Sequence, residues 1–187
     1  MKHIILASNS PRRRELLAGL NLDFEVRVLP GIPENYPRSL PASEVAGFIA
    51  REKADAYRET IGQNDLLVTA DTVVVVGNEI LGKPKDAEDA HRMLRLISGR
   101  THQVVTGVCL LTADKERCFS VTTDVTFKQL SEEEITYYIE NYKPFDKAGS
   151  YGIQEWIGYV GVTSISGSYF NVMGLPVQRV WEEIKKL

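Results

Sequence analysis

The sequence is short of positive charge, of cysteine and of long apolar runs, and each shortage removes a class of function. Lys and Arg number 22 against 25 Asp and Glu, a formal net charge of −3. No general attraction to nucleic acid polymers or acidic membranes is therefore expected, and a polyanionic ligand must be held by a few locally placed cations. Cysteine occurs only at positions 109 and 118, too few for a disulfide framework. A bridge between them is geometrically allowed, but reduced thiols are expected. The opening stretch His3–Leu6 is too short for a signal-peptide core, and no apolar run reaches membrane-spanning length. A soluble cytoplasmic protein is the reading that follows. The three histidines are scattered and neither H-E-x-x-H nor C-x-x-C occurs, so no permanent zinc site is expected. A Walker A loop and a G-x-G-x-x-G fingerprint are also missing.

No repeat, low-complexity tract or linker divides the 187 residues, which read as one domain, 1–187. A short strand at 3–7 is followed by a helix from Pro11 to about Leu20, a strand at 24–29 and a proline-rich loop. A helix runs from about Ala42 to Thr60, with Val45, Ile49, Ala56 and Tyr57 on its apolar stripe. The β-branched run 66–76 turns at Gly77 into a short strand at 80–81. Asp86 caps a helix through Ile97, with Asp89 in the capping-box position. Strands at 103–111 and 117–128 follow, and Ser131 with Glu134 forms a second capping box opening a helix to Tyr142. The remainder reads as glycine-punctuated strands, then a terminal helix after Pro176 with Val177, Val180, Trp181 and Ile184 facing inward. Helices interspersed with long strands indicate an α/β or α+β domain on a central mixed sheet.

Four places run against local stability. Ser10 and Pro11 are good N-cap and N1 residues, so helix amides point back toward the preceding strand as an anion site. Arg12, Arg13 and Arg14 follow at once, where cations are disfavoured; either an anion compensates them or all three are solvated. Asp71 interrupts the most apolar β-forming run of the chain. Buried there it must be paired, ligate a metal or act as a base, and the other outcome is a bulge that turns it outward. Lys53 shares the stripe of Ile49 and Ala56, and either snorkels past the core or reaches a site at its edge. Lys83 sits in a Gly82-Lys83-Pro84 turn, which alone says only that a turn carries a lysine.

Taken in order, Ala7-Ser8-Asn9-Ser10-Pro11-Arg12-Arg13, Arg51-Glu52-Lys53-Ala54, Ala70-Asp71-Thr72-Val73-Val74, Gly82-Lys83-Pro84, Ser98-Gly99, His102, Thr106-Gly107, Asp146 to Gln154, and Gly167-Ser168 with Asn171-Val172 and Gly174-Leu175-Pro176 resemble the Maf family of nucleotide pyrophosphatases over nearly the whole chain. The resemblance implies an elongated α/β architecture like that of inosine-triphosphate pyrophosphatase, a central mixed sheet flanked by helices, with a substrate cleft between two lobes. It also implies cleavage of a nucleoside triphosphate to monophosphate and diphosphate, assisted by a divalent cation (Mg²⁺, or Mn²⁺), and a homodimer. Arg12, Thr72 and Gln154 resemble the dTTP/UTP branch; the sister branch acting on 7-methyl-GTP carries Trp and Gln at the first two positions. Two positions depart from the family's pattern. Glu34 stands alone where two adjacent acids are usual, and Glu155 replaces the glycine after Gly152-Ile153-Gln154.

On that footing Asp71 is expected to be the proton acceptor for the attacking water and, with Glu34, to hold the metal. Lys53 and Lys83 would stabilise developing charge. Ser8, Ser10, Arg12 and Arg13 would hold phosphates, while Thr72 and Gln154, with Arg12, read a pyrimidine. The competing class is a nucleotide-binding regulator of cell division, linked to septum formation, without significant turnover. A phosphoryl transferase is a third reading, and the missing P-loop counts against it.

Overall fold

The computed structural model describes residues 2–187. Seven strands form one mixed sheet: β1 (His3–Leu6), β2 (Phe24–Val26), β3 (Asp65–Val76), β4 (Glu79–Leu81), β5 (Thr101–Leu111), β6 (Glu116–Phe127) and β7 (Val162–Ser166), in the order β2-β1-β3-β5-β6-β7 with β4 on β3. Strand β1 runs parallel to both β2 and β3, whereas β4 is antiparallel to β3 and β7 to β6. The parallel pairs need crossovers, supplied by α1 (Pro11–Ala18) and α2 (Ala42–Tyr57), the second extended by a 3-10 turn at Arg58–Thr60. The expected mixed sheet flanked by helices is the observed one.

The chain divides into two compact units, one comprising the chain up to Asp71 with Thr106–Val121 and Gly174–Leu187, the other Thr72–Val105 and Thr122–Met173. In the first, Ile5, Ala50, Ala54, Tyr57, Leu67 and Leu111 pack together. In the second, Val74, Leu94, Ile97, Phe127, Tyr138 and Ile157 belong to one core, covered by α3 (Ala87–Ile97) and α4 (Glu132–Tyr142). The full capping box of Ser131 and Glu134 is present at α4. Asp86 caps α3 through the Asp89 amide, but Asp89 returns its carboxylate to the amide of Lys85, one residue earlier than a capping box requires. No helix among the described residues is long and apolar enough to cross a membrane.

Three expectations are corrected. Residues 156–173 form one strand, β7, between two short helices, α5 (Trp156–Gly161) and α6 (Tyr169–Met173); four glycines in that stretch and its neighbours mark helix ends and turns as well as strand boundaries. The terminal helix α7 (Val177–Ile184) leaves Trp181 exposed, with the Lys185 ammonium over its ring, and buries Glu183 completely. Burial of an acid requires partners that only the fold supplies. Here they are Arg117 at 2.7 Å, Arg179 at 2.8 Å and Lys186 at 3.1 Å, and they hold the Glu183 carboxyl down at about 2, the Arg117 hydrogen bond contributing most. Finally, Cys109 and Cys118 are joined in a disulfide where reduced thiols are expected from composition, because the neighbouring strands β5 and β6 bring their Cα atoms 4.1 Å apart.

In the second unit, His102 is buried against Phe127 and Tyr151, its Nε2 sharing a 2.6 Å hydrogen bond with the Tyr151 hydroxyl. Burial pushes the imidazole down to about 4, with Asp124 opposing. A depressed histidine stabilises the fold fully above its ordinary value of 6.5, and that contribution is lost as pH falls through about 4. Chemical denaturation from neutral pH downward should show wild type losing up to about 3 kcal/mol more than His102→Asn over this window. Parallel losses in the two proteins would show that His102 is not the titrating group.

Candidate active site

The site of the first unit begins where β1 ends. Leu6 pairs with Val68 of β3, and the Ala7 amide donates to the Val68 carbonyl at 2.9 Å. The turn Ser8–Ser10 therefore leaves the sheet beside the strand that reaches Asp71 three residues later. Ser8 is buried and its hydroxyl accepts from the Ser10 amide at 3.1 Å. Ser10 caps α1 by accepting from the Arg13 amide, and Pro11 occupies the first turn. The expected helix start is thus present, with its amides directed back at the turn.

Arg13 does not extend into solvent. Its Nε donates to the carbonyl of Gly174 at 2.8 Å, which ties α1 to the segment leading into α7. Burial lowers the Arg13 guanidinium from its ordinary value, the Asp71 charge raises it, neighbouring Arg12 lowers it and Glu34 raises it. Arg13 thus sits in the field of two carboxylates beside the half-buried Arg12, and of the three arginines only Arg14 is exposed.

Asp71 is buried, so no bulge turns it outward. Its Oδ1 accepts from the Lys53 ammonium at 3.0 Å, and the same ammonium lies 2.7 Å from Glu34 Oε1. Lys53 is largely covered, at 15% side-chain exposure, while Glu34 is half open at 52%. One buried carboxylate, one open carboxylate and a shared cation define the centre. This answers the question left open for Lys53: it reaches the site rather than snorkelling past the core.

Two contacts set that geometry. Thr69, two residues before Asp71 and so on the same face of β3, donates its hydroxyl to the Ala50 carbonyl of α2 at 2.7 Å, three residues before Lys53. Gly107 of β5 lies so close to α2 that a Cβ there would overlap the backbone at Ala46 and Gly47. The helix seats Val45, Ala46, Ile49, Ala50, Ala54 and Tyr57 inward, while Ala56 is exposed, so the apolar stripe is narrower at its end than expected. The Tyr57 hydroxyl bridges the Leu29 amide and the Arg27 carbonyl, fixing the start of the loop that carries Glu34. Neither contact was singled out in the sequence: Thr69 could have been found as the polar residue one alternation before Asp71, whereas nothing local marks Gly107 as a packing contact.

The remaining expected residues belong to the second unit. Thr72 follows Asp71 directly and is half-buried, and Lys83 is exposed. The Gly82 carbonyl accepts from the Gly149 amide at 3.1 Å, so the Gly82-Lys83-Pro84 turn is pinned to the Asp146–Gln154 segment. Gly149 has φ +69° and packs against Val74. Glu155, where the family has glycine, adopts an ordinary extended conformation (φ −93°) as the N-cap of α5 and pairs with Lys147 at 3.1 Å. The turn closes through the Glu155 amide on the Gly152 carbonyl and the Gly152 amide on the Tyr138 hydroxyl. Position 155 therefore needs no glycine: Glu155 takes an extended conformation there. Asn171 anchors the later glycine loop, donating to the Val104 carbonyl and to Thr123 Oγ1.

The chain is similar to known proteins over nearly its whole length. A family model described as "Maf-like protein" matches residues 3–187. The chain is 61% identical over 184 residues to a dTTP/UTP pyrophosphatase of Phocaeicola vulgatus, covering 98% of this chain and 95% of that protein. It is 58% identical to a dTTP/UTP pyrophosphatase of Bacteroides fragilis, with the same coverage. Among solved structures, the Staphylococcus aureus Ham1 protein aligns with a TM-score of 0.56 at 15% identity, over 98% of this chain and all of that one, a likeness of fold.

The seating of α2 on the sheet is testable by denaturant midpoints. Gly107→Ala should destabilise by about 1–3 kcal/mol through overpacking, and Thr69→Val by about 1 kcal/mol through loss of the hydroxyl bond to Ala50. Wild-type midpoints in both would show that neither contact sets the position of α2.

Proposed function

The chain belongs to the Maf-like family, and from that premise we propose that it hydrolyses dTTP and UTP to the nucleoside monophosphate and diphosphate. The observation that carries this reading is the Asp71–Lys53–Glu34 set beside the Ser8–Arg13 turn. Passive nucleotide binding requires cations; it does not require a carboxylate retained in an apolar strand. The chain's near-full-length likeness to proteins named dTTP/UTP pyrophosphatase supports the choice of nucleotide.

In the proposed mechanism, Asp71 accepts a proton from water as its oxygen attacks the α-phosphorus. The bond from that phosphorus to the β-bridging oxygen breaks, and diphosphate leaves. Proton acceptance by a positioned carboxylate and in-line alignment are the main requirements of this step. Lys53 orients Asp71 through its hydrogen bond and, with Lys83, offsets developing charge. Arg12, Arg13 and the hydroxyls of Ser8 and Ser10 bind phosphate oxygens. Thr72 and Gln154 supply neutral donors and acceptors for the base.

Glu34 and Asp71 also fit a divalent cation. Both already turn an oxygen toward one positive group, the Lys53 ammonium, and hard carboxylate oxygens suit Mg²⁺. Two protein carboxylates leave the remaining positions for water and phosphate, the usual arrangement for this ion. When bound, the ion would neutralise charge on the triphosphate.

The test is diphosphate release from dTTP and UTP with added Mg²⁺. Equimolar monophosphate and diphosphate are expected, and Asp71→Asn should lower kcat by about 10² to 10⁴ in a protein that melts normally. Near-normal turnover by Asp71→Asn would remove it as the base. A tight nucleotide complex with no turnover in wild type would instead favour the regulatory reading.

A further inference from the structure

The Cys109–Cys118 bond lies in the first unit, outside the ion set but against the helix that supplies Lys53. Cys109 of β5 is fully buried, in the cluster that holds Ala50 and Ala54 of α2. Cys118 faces it from β6 and is exposed. The proposed hydrolysis uses neither sulfur and transfers no electrons, so the bond calls for a separate account.

Several contacts link the bond to α2. The Cys109 carbonyl lies 3.4 Å from Thr69 Oγ1, the hydroxyl that also donates to the Ala50 carbonyl. Glu116 stands two residues before Cys118 and so on the same face of β6. Its carboxylate pairs with Arg51 of α2 at 2.9 Å and with Arg58 of the 3-10 turn that extends the helix. The oxygen that meets Arg51 is also 3.7 Å from Cys118 Sγ. Ser120, next on that face, lies against Gly47 of α2. Residues 50, 51 and 54 therefore rest on the hairpin at the very turn that carries Lys53, and Lys53 reaches Asp71 at 3.0 Å.

We propose that Cys109 and Cys118 form a reversible thiol–disulfide switch, whose oxidised form holds α2 where it presents Lys53 to Asp71. The effect on turnover rests on the hydrolase reading above; the effect on the helix does not. The co-reactant is a dithiol. One of its thiolates attacks the exposed sulfur, Cys118 Sγ, and forms a mixed disulfide. The Cys109–Cys118 bond breaks, and its electron pair leaves on Cys109. The second thiolate then displaces Cys118, and the reductant departs as a disulfide. Both protein sulfurs take up protons that the reductant's thiols have released.

Two sulfurs without a bond must part to van der Waals distance. Cys109 is enclosed by Ile5, Ala50, Ala54 and Leu67, and a close-packed cluster has no spare room. The hairpin end bearing Cys118 and Glu116 therefore shifts, and the contacts of Arg51 and Arg58 shift with it. The bond also closes a loop of sequence separation 9, so reduction returns chain entropy to the unfolded state.

The test is a redox titration of the full chain in mixtures of reduced and oxidised dithiothreitol, at a temperature where both forms stay folded. Free thiols should rise from none to both cysteines. Over the same span kcat for dTTP should fall about 3- to 30-fold, the scale of a sub-ångström misplacement, with KM changing less. Reduction should lower Tm by about 5–10 °C and speed hydrogen exchange at the α2 amides around Lys53. Reoxidation should restore all of these. Cys118→Ser, at an exposed position, should show the reduced-form values in every mixture. A chain that keeps both thiols free in oxidised dithiothreitol would overturn the bond. Equal kcat and equal α2 exchange in the two forms, with thiols titrating as expected, would overturn the link to the helix. Absence of triphosphate turnover in both forms would overturn the hydrolase reading alone, and α2 exchange then decides the switch.

Discussion

The ion set of Asp71, Lys53 and Glu34 is the constraint to which the first unit is built. A carboxylate within a β-branched strand loses hydration, a cost that a partnering cation offsets. Lys53 supplies that cation at 3.0 Å. For a lysine to reach the strand from α2, the helix must lie close and in one register. The close approach comes from Gly107, which leaves room for the Ala46–Gly47 backbone, and the register from the Thr69 hydroxyl on the Ala50 carbonyl. The parallel arrangement of β1 and β3 then brings the capped start of α1 to the same end of the sheet. Chemistry and packing are linked through few contacts, each of a distinct physical kind.

The second unit is organised by buried polar pegs. His102 and Tyr151 share a hydrogen bond within an aromatic cluster, Tyr138 holds the Gly152 amide, and Asn171 joins β5 and β6 to α6. Such groups add little net stability when satisfied and cost much when not. Their value lies in selecting one arrangement of the loops that carry Lys83, Gln154 and Tyr169. Gly149 contributes sterically, since its positive φ and its contact with Val74 leave no space for a side chain.

Several features were legible in the chain because they depend on neighbours in sequence. The caps at Ser10, Asp86 and Ser131, the apolar run around Asp71 and most helix and strand positions follow from local propensity and periodicity. The resemblance gathered Ser8, Arg13, Glu34, Lys53 and Asp71 into one expected site; in the first unit Lys53 contacts Asp71 and Glu34, and Arg13 lies in the field of both carboxylates. Glu183 was not singled out, because one acid of a Glu182-Glu183 pair is indistinguishable from a solvated one until Arg117, Arg179 and Lys186 surround it. Trp181 was misread for the complementary reason: its size suggests burial, whereas Lys185 covers it at the surface.

By itself, the sequence determined the class of fold, the local element starts and the chemical inventory: acids, cations and hydroxyls suited to a triphosphate, without the motifs of kinases or zinc enzymes. The tertiary structure alone decided that Lys53 serves both Asp71 and Glu34, that Arg13 is withdrawn onto the Gly174 carbonyl, and that Cys109 and Cys118 meet. Periodicity describes which face of an element is covered. It carries no information about which residue, tens of positions away, will stand opposite, and distances of about 3 Å are set by that pairing. The opening segment shows the division plainly: its cap and its arginines were visible at once, while the carboxylates whose field Arg13 occupies arrive only when β3 and the loop carrying Glu34 fold beside it.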